Sequence, residues 1–513
     1  MTPQELLTHD FGTLSDLIRG HAATRPGHAA LILGETTLDY AGLDALMDRI
    51  AAALQRDGFG NGDAIAIVAN ASIEYAAVFL GALRAGLAVA PLAPSSTPES
   101  LAVMSNDADA GLLFLDGANA AAMAPVLATV SAHPIRLDTA EFTAWLAPEG
   151  TRPAPVQVAP DAPFNIIYSS GTTGTPKGIV QPHSMRWSHV QRAAINGYRA
   201  DCIALLSTPL YSNTTLVVFF PTLGWGGSVV LMPKFDVAGY LELAQRHRVT
   251  HTMLVPVQYS RIMQHPDFDR YDLSSFEAKF CTSAPFGAAL KADILKRWPG
   301  KLIEYYGMTE GGGTCILLAH EHPDKLHTVG QPAPGHDIRL IDEQGQEVAA
   351  GETGEVVGHS GTVMLGYHKQ PGKTAEAEWY DAQGRRFIRT GDLGRFDAEG
   401  FLTLLDRKKD MIISGGFNVY PSDLEMVLRG HAAVAEAAVV GMPSERWGET
   451  PVAFVVLQPG IDASPAELLA FANDKLGKTQ RLAAVEILPS LPRSAIGKVL
   501  KRELRDSFKQ AIS

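Results

Sequence analysis

Short apolar strands alternate with amphipathic helices through the first 160 residues of the chain. Residues 29–33, 63–68 and 88–91 predict strands, and residues 40–54 and 72–85 predict the helices between them. Parallel strands need a crossover connection, which is usually a helix. The alternation therefore predicts a parallel sheet covered on both faces.

The pattern changes towards the C-terminus. Residues 147–163 are rich in Pro and Ala and predict a connector. From about residue 330 to residue 401, short apolar runs separated by turns predict an antiparallel sheet or barrel. After the charged segment 406–410, the last 100 or so residues have a strand and helix pattern of their own. They predict a small separate core.

The composition is that of a soluble globular enzyme. The 513 residues include 55 Asp plus Glu against 43 Lys plus Arg, a formal charge of −12. With 46% hydrophobic and 19% charged residues, the chain is too apolar for a disordered protein. A nucleic-acid-binding protein normally has a basic stripe that neutralises phosphates, so the acidic balance argues against nucleic acid as a partner. It leaves room for a local basic pocket that binds one anionic molecule.

Cysteine usage and hydropathy point to the cytoplasm. Cys202, Cys281 and Cys315 have no paired spacing, which disfavours disulfides and zinc sites and predicts buried, inert thiols. The first ten residues have no signal-peptide pattern. The most apolar segment, residues 76–94, contains Arg84 and several glycines, so it predicts a buried helix and strand rather than a membrane span.

A glycine-rich loop, YSSGTTGTPKG at residues 168–178, follows an apolar strand. Glycines let a backbone approach an anion, the hydroxyl groups donate to phosphate oxygens, and Lys177 supplies positive charge. The loop predicts a phosphate site; a flexible exposed turn is the alternative. It is not a Walker A motif, because Lys177 is followed by Gly178 rather than Ser or Thr. The three glycines at residues 311–313 do not have the G-x-G-x-x-G spacing of a dinucleotide-binding fingerprint.

Four further segments are ambiguous one by one. YGMTE at 306–310 offers a stacking ring, a hydroxyl and a carboxylate for a cation, or else a core Tyr and a solvated Glu. TGD at 390–392 predicts a turn whose Asp either binds a ribose or caps the turn. Arg407, in DRKKD at 406–410, is a nucleotide contact or a solvated linker charge. Lys498, in PRSAIGK at 492–498, is solvated by default.

The loop and these four segments, together with Gly415-Gly416, resemble in order and spacing the core motifs of the adenylate-forming (ANL) superfamily. That superfamily includes acyl-CoA synthetases, peptide-synthetase adenylation domains and firefly-type luciferases. The resemblance covers about residues 15–507. It implies an α/β fold with a large N-terminal domain, built of parallel α/β subdomains and a β-barrel-like subdomain, and a small mobile α+β C-terminal domain. The implied boundaries are 1–405, a hinge at 406–410, and 411–513.

The resemblance also implies a chemistry. A carboxylic acid reacts with ATP to give an acyl-adenylate and pyrophosphate, and the acyl group then passes to coenzyme A with release of AMP. The implied requirements are ATP, Mg²⁺ and coenzyme A.

Carried over by motif, the implied sites cover nearly every step of that reaction. The implied β- and γ-phosphate contacts are Ser170, Thr172, Thr173, Gly174 and Lys177. The implied adenine and ribose contacts are Ser283, Ala284, Pro285, Tyr306, Gly307, Asp392 and Arg407. Thr309 is implied at the α-phosphate, Glu310 at Mg²⁺, and Lys498 between the carboxylate and the α-phosphate. Lys409 is the implied hinge, and Ser414, Gly415 and Gly416 the implied pantetheine tunnel.

The acid pocket is the part in which the chain departs from many relatives. Ser212 follows Pro209-Leu210-Tyr211 where many members have His, which puts a gating histidine in doubt. No acid lies between Cys202 and Lys234, so the ammonium of an amino acid would lack a partner. Tyr305 stands where some dicarboxylate-specific relatives have Arg, which weakens a malonate-like assignment.

We therefore predict an acid–CoA ligase whose pocket includes Tyr211, Ser212, Val255 and Gly312 and accepts an aromatic or medium- to long-chain aliphatic acid. The alternative is an enzyme that loads a separate carrier protein. A luciferase-like oxygenase and a nucleotide-binding regulator without turnover are disfavoured. Monomer and homodimer both stay open.

Overall fold

The computed structural model describes residues 1–169, 177–414, 417–444, 447–477, 480–494 and 497–512. The chain folds into two compact units. The first comprises Met1–Leu326, Pro332–Asp337 and Gly358–Ile388, and the second comprises His327–Gln331, Ile338–Val357 and Arg389–Ser513.

Helices are distributed along both units. In chain order they are α1 (Pro3–Leu6), α2 (Leu14–Thr24), α3 (Tyr40–Arg56), α4 (Ile73–Arg84), α5 (Pro98–Asp107), α6 (Gly117–Met123), α7 (Ala140–Trp145), α8 (His183–Arg192), α9 (Asn213–Gly224), α10 (Val237–Arg246), α11 (Pro256–Met263), α12 (Ala288–Arg297), α13 (Pro371–Glu376), α14 (Pro421–Arg429), α15 (Pro465–Lys475) and α16 (Lys501–Ile512). Short 3₁₀ helices span Leu127–Thr129, Ala193–Asn196 and Phe268–Arg270.

Strands are short except near the C-terminus. In chain order they are β1 (Ala29–Leu33), β2 (Thr36–Asp39), β3 (Ala64–Val68), β4 (Ala88–Pro91), β5 (Ala110–Leu115), β6 (His133–Arg136), β7 (Pro163–Ser169), β8 (Lys177–Pro182), β9 (Ile203–Leu206), β10 (Ser228–Leu231), β11 (His251–Leu254), β12 (Ala278–Cys281), β13 (Lys301–Gly307), β14 (Thr314–Leu318), β15 (Gln331–Pro332), β16 (Asp337–Ile341), β17 (Gly354–His359), β18 (Gly366–Tyr367), β19 (Glu378–Tyr380), β20 (Arg386–Phe396), β21 (Leu402–Arg407), β22 (Ile412–Ser414), β23 (Phe417–Val419), β24 (Val434–Ser444), β25 (Gly448–Leu457) and β26 (Ala484–Ile487).

The first unit is built on two mixed sheets. One has nine strands in the order β15-β14-β13-β12-β11-β9-β10-β1-β2, and the other has seven in the order β18-β8-β7-β4-β3-β5-β6. The strands predicted at 29–33, 63–68 and 88–91 are β1, β3 and β4, and each pairs parallel with a neighbour, as predicted, although they belong to two sheets rather than one. Near the sheet edges, β2, β14, β8 and β18 pair antiparallel. At one edge the reason is the connection: only Gly34 and Glu35 separate β1 from β2, and a parallel crossover needs about a dozen residues.

The core of the first unit confirms the interpretation of the apolar segment 76–94. Every residue of α4 except Glu74 is buried, and β4 follows it. A helix that is apolar on all sides belongs in a protein core. The ring of Phe79 in α4 packs against Phe164 and Phe220, with ring centroids 6.2 and 5.4 Å away. In the described part of the chain, no helix is long and apolar enough to cross a membrane.

The cysteine prediction also holds. Cys202, Cys281 and Cys315 are free thiols, and all three are buried. Burial raises the pKa of Cys202 to about 11 and that of Cys315 to about 12, so these thiols stay protonated and unreactive at neutral pH.

The second unit contains most of a five-stranded sheet in the order β16-β17-β20-β19, with β21 also paired to β20. The TGD segment lies inside β20 rather than at a turn, so that prediction is wrong. Asp392 pairs with Arg407 in the antiparallel ladder, and Gly391 within the strand takes a φ of +70°. The predicted last core is present: a second five-stranded sheet, β23-β22-β25-β24 with β26, packs apolar side chains against α14 and α15.

Candidate active site

Four parallel strands of the nine-stranded sheet end at one edge and carry predicted site residues there. β9, β11, β12 and β13 are neighbours in the sheet. Tyr211 and Ser212 lie in the segment after β9, Val255 directly follows β11, Ser283 follows β12, and Tyr306 lies near the end of β13. Ligands of α/β sheets bind outside the carboxyl ends of the strands. The fold therefore places the residues predicted to contact adenine and those predicted to contact the carboxylic acid substrate along a common edge of the sheet.

Ser283 has a backbone that a non-glycine residue rarely adopts, with φ at +81°. Its hydroxyl shares a hydrogen bond of 2.7 Å with the hydroxyl of Thr214, in the first turn of α9. Such a conformation costs of order 1–3 kcal/mol, and it persists where the surroundings hold it. Ala284 and Pro285 continue from it, with Pro285 exposed. The predicted adenine segment is thus fixed to the helix that begins beside Ser212.

The predicted acid-pocket residues are mostly buried. Ser212 is the N-cap of α9, yet its side chain makes no capping bond, and Val255 is buried at the N-cap of α11. Gly312 has a φ of +89°, and a Cβ there would lie 2.8 Å from the carbonyl oxygen of Gly358. A side chain at this position is therefore excluded by both strain and collision.

Lys177 and Glu310 both contact Tyr367. The Lys177 ammonium lies 5.0 Å from the centroid of the Tyr367 ring. The Tyr367 hydroxyl donates to Oε1 of Glu310 over 2.8 Å. Burial and the Glu310 carboxylate raise the pKa of Tyr367, so the hydroxyl keeps its proton and its role as donor. The predicted phosphate lysine and the predicted Mg²⁺ carboxylate are therefore brought together by a tyrosine that motif reading missed.

Thr309 is held through its backbone. Its carbonyl oxygen accepts a hydrogen bond of 2.5 Å from the Gln181 side chain. Gln181 in turn accepts from Arg186, and Arg186 also donates to Oδ1 of Asn165 at 3.1 and 3.2 Å. Arg186 is only 1% exposed, and burial lowers its pKa to about 9, which still leaves it charged at pH 7. A buried cation thus fixes the segment predicted to contact the α-phosphate.

In the second unit, the predicted ribose residues form an ion pair. Nε of Arg407 lies 3.0 Å from Oδ1 of Asp392. Lys498 lies in the field of this pair and of Lys409 and Asp410. The surrounding protein atoms, followed by the charges of Arg407 and Lys409, lower the pKa of Lys498 to about 8. The structure therefore gathers the predicted adenylation lysine and the predicted ribose contacts within one unit.

The predicted hinge residue differs from its neighbours. Lys408 binds Glu355 at 3.1 Å and Asp410 binds Arg505 at 3.0 Å, whereas Lys409 is exposed and makes no ion pair with any residue that the structure describes. Its backbone is therefore less restrained by side-chain contacts than the residues on either side.

Two predicted segments fall partly or wholly outside the described residues. Ser170, Thr172, Thr173 and Gly174 belong to 170–176, which begins after Ser169 and ends before Lys177, two residues that pair across β7 and β8. Of the predicted pantetheine tunnel, Ser414 ends β22 opposite Gly448, and Gly415 and Gly416 lie outside the described residues.

Comparison with known proteins decides the family. The model of the AMP-binding enzyme family matches residues 18–368, and that of the AMP-binding enzyme C-terminal domain matches residues 423–498. The chain belongs to this family. It is an AMP-forming acid–thiol ligase of the adenylate-forming superfamily, as the motifs predicted.

Similar members of the AMP-binding enzyme family span nearly the whole chain. A fatty acid–[acyl-carrier-protein] ligase, ScoC, from Streptomyces coeruleorubidus is 33% identical over 97% of this chain and 96% of its own length. A feruloyl-CoA synthase from an Amycolatopsis species is 33% identical over 95% of this chain and 97% of its own length. The crystal structure of ATP-bound MatB from Rhodopseudomonas palustris has a TM-score of 0.87 at 29% identity, covering 97% of this chain and all of the other.

Proposed function

We propose that this member of the AMP-binding enzyme family is an ATP-dependent acid–CoA ligase. The observation that carries the proposal is the shared strand edge, along which Ser283, Tyr306, Ser212 and Val255 lie. The chain also holds Lys498 near the charged side chains of Arg407, Lys409, Asp392 and Asp410. Curated relatives named as CoA ligases or synthases, with 32–35% identity, support it.

The first half-reaction joins two anions. A carboxylate approaches the α-phosphate of ATP, and like charges repel strongly where water is excluded. Thr309, positioned by Gln181, contacts the α-phosphate, and Lys177 with the loop 170–176 binds the β- and γ-phosphates. Lys498 bridges the carboxylate and the α-phosphate, so that positive charge is in place as the new bond forms.

Glu310 fits a role in Mg²⁺ binding. Mg²⁺ takes oxygen ligands and is commonly bound by one or two carboxylates plus substrate phosphates. Among the described residues, no group of three or more His, Cys, Asp or Glu could hold a metal on its own. The Glu310 carboxylate, oriented by Tyr367 beside Lys177, is suited to share a cation with ATP. When bound, the ion would neutralise phosphate charge.

The second half-reaction needs a different arrangement of the same residues. We propose that the C-terminal part, from residue 411, moves about Lys409 after the adenylate forms. Lys498 then leaves the reacting atoms, and Ser414, Gly415 and Gly416 form part of a narrow passage for the pantetheine thiol. The absence of side chains at two of these positions suits such a passage.

The acid is proposed to be aromatic or a medium- to long-chain aliphatic compound. The segment from residue 203 to 233 contains no acidic side chain, and α9 is mostly buried and apolar. A buried substrate ammonium would lack a partner there, at a cost of several kcal/mol. Amino acids are therefore disfavoured substrates.

A panel of carboxylic acids with ATP, Mg²⁺ and coenzyme A tests the proposal. Mass detection of one acyl-CoA, with AMP and pyrophosphate in equal amounts, is the expected result. If no acid in a broad panel causes pyrophosphate release, the proposed activity is wrong.

Loading of a carrier protein is the second candidate, because ScoC is a carrier-protein ligase and is 33% identical to this chain. The same acids, offered with coenzyme A and with a phosphopantetheinylated acyl carrier protein in separate reactions, distinguish the two. A thioester formed only on the carrier protein would favour this second candidate.

A further inference from the structure

Arg192, His336 and Tyr305 make a set of contacts that the site described above does not include. Arg192, the last residue of α8, places Nη1 2.6 Å from Nε2 of His336. Its Nη2 donates to the hydroxyl of Thr362 at 3.3 Å. The Tyr305 hydroxyl accepts from Asn196 at 2.9 Å. We name Arg192, His336 and Tyr305 the distal cluster.

The hydrogen bonds of His336 leave the distal cluster short of an acceptor. The backbone N–H of Thr314 donates to Nδ1 of His336 over 3.0 Å, so Nδ1 carries a lone pair. In a neutral imidazole the proton then belongs to Nε2, and a guanidinium has only donors. Two N–H donors therefore face each other across 2.6 Å. An oxygen at about 2.9 Å from both nitrogens would accept from both.

The charge of Arg192 is also uncompensated. In the part of the chain that the structure describes, no carboxylate lies within ion-pair distance of its guanidinium, and the Thr362 hydroxyl is the one oxygen bonded to it. Burial and the Arg192 charge lower the pKa of His336 to about 4, so this imidazole is neutral at pH 7. A partly buried guanidinium without an anion is costly, and an anionic or strongly accepting oxygen would relieve that cost.

His189, one turn before Arg192 on α8, adds a second unsatisfied group. Its Nδ1 is buried and has no hydrogen-bond partner within the described ranges. Burial, and the nearby charges of Arg186 and Arg192, lower its pKa below the usual range. The surroundings of the distal cluster therefore contain several donors and cations and few acceptors.

The distal cluster is joined to the proposed acid pocket through the backbone. The N–H of Gly312, a proposed pocket residue, donates to the carbonyl oxygen of Thr362 at 3.0 Å, and the hydroxyl of the same Thr362 accepts from Arg192. Thr314, which binds His336, is two residues further along the same hairpin. Tyr305 directly precedes Tyr306, the proposed adenine contact. A single residue, Thr362, thus connects Arg192 of the distal cluster to Gly312 of the predicted acid pocket.

We infer that the distal cluster binds an oxygen acceptor at the end of the substrate remote from the reacting carboxyl group. The substrate class is then carboxylic acids with a second carboxylate or a phenolic hydroxyl at that far end, rather than acids with a purely apolar tail. The inference rests on the proposed function and narrows it.

Matched pairs of acids test the inference without any variant. Octanedioate is compared with 8-methylnonanoate, in which two methyl groups replace the carboxylate oxygens. 4-Hydroxycinnamate is compared with 4-methylcinnamate. A site built to bind an oxygen discriminates strongly against an analogue that lacks it. We expect kcat/KM for pyrophosphate release to favour the acceptor-bearing member of at least one pair by about 10²-fold or more, and the pair that responds identifies a carboxylate or a phenol.

Two variants locate the effect. Arg192→Met should reduce the preference to less than about tenfold, mainly through KM of the acceptor-bearing acid, and Arg192→Lys should restore part of it. His336→Asn retains an acceptor for Thr314 and removes Nε2, and it should reduce the preference by a smaller factor. Arg246→Met, at an exposed Arg paired with Glu35, is the matched control and should retain the wild-type preference.

The outcomes separate this inference from the proposed function. Equal turnover of both members of both pairs by the wild-type enzyme would overturn the inference and leave the ligase activity standing. An Arg192→Met variant that slows all four acids equally and keeps the preference would also overturn it. If none of the acids, nor any in the wider panel, releases pyrophosphate, the proposed function itself fails.

Discussion

The protonation of Lys498 should govern the pH dependence of adenylation. Protein burial and the charges of Arg407 and Lys409 lower the pKa of Lys498 to about 8, against an ordinary value of 10.5. The reaction needs the protonated form, because a positive charge must offset the negative charges of the carboxylate and the phosphate. The rate should therefore be highest below the pKa and fall as pH rises through it.

The size of the effect follows from the titration curve. With a pKa of about 8, Lys498 is about nine-tenths protonated at pH 7 and about one-tenth protonated at pH 9. We expect kcat/KM for ATP in the adenylation half-reaction to fall roughly tenfold between these pH values, since kcat/KM reports the free enzyme. At saturating ATP the bound phosphates favour the ammonium, so the fall in kcat should occur at higher pH.

Acid-dependent ATP–pyrophosphate exchange, measured from pH 6.5 to 9.5 at low ATP, tests this expectation. Lys498→Arg is the matched control, because a guanidinium stays protonated over this range and the fall near pH 8 should disappear even if the rate is lower. Replacing Lys409 with Met removes one neighbouring positive charge and should move the fall to higher pH. A flat wild-type profile up to pH 9.5, or the same fall in Lys498→Arg, would refute the assignment.

Three further variants test other parts of the structure. Lys409→Pro fixes φ at the proposed hinge. Thioester formation from supplied acyl-adenylate should therefore slow by about tenfold or more, while ATP–pyrophosphate exchange persists. An unimpaired rate of thioester formation would count against the hinge. Lys291→Met leaves Glu304 buried without its ion partner, and urea unfolding should show that the free energy of unfolding falls by about 3–5 kcal/mol. Burial raises the pKa of Glu304 to about 7, so its carboxylate is charged at pH 8 and the fall should be larger there than at pH 6. An equal fall at both pH values would contradict this. Gly312→Ala should lower the thermal midpoint and acid turnover together, since its Cβ would lie 2.8 Å from Gly358 O, and a fully stable, active variant would refute the packing argument.

Local sequence pattern was sufficient for most elements of the fold. The predicted strand 88–91 is β4, and the predicted helix 72–85 is α4 with Ser72 as its N-cap. These elements carry strong local signals: a continuous apolar run, and a capping serine before a helix. The edge strands were harder, because pairing direction depends on which strands meet and not on the strand's own residues.

The site was predicted only in part, for a similar reason. The YGMTE segment begins near the end of β13, and the roles predicted for its residues stay predictions. The groups that support them come from distant parts of the chain: Gln181 and Thr309 are 128 residues apart, and Arg192 and His336 are 144 apart. Single arginines and histidines on a helix look like solvated charges in a sequence. Only the fold shows that Arg186 is buried and that, among the described residues, no carboxylate lies within ion-pair distance of Arg192.

The two half-reactions of the Lys498→Ala variant provide the most direct test of the whole account. Acid-dependent ATP–pyrophosphate exchange should fall by about 10²-fold or more, whereas transfer of the acyl group from supplied acyl-adenylate to coenzyme A should continue near the wild-type rate. Loss of both half-reactions, or retention of pyrophosphate exchange, would contradict the claim that this lysine acts only in adenylate formation by an acid–CoA ligase.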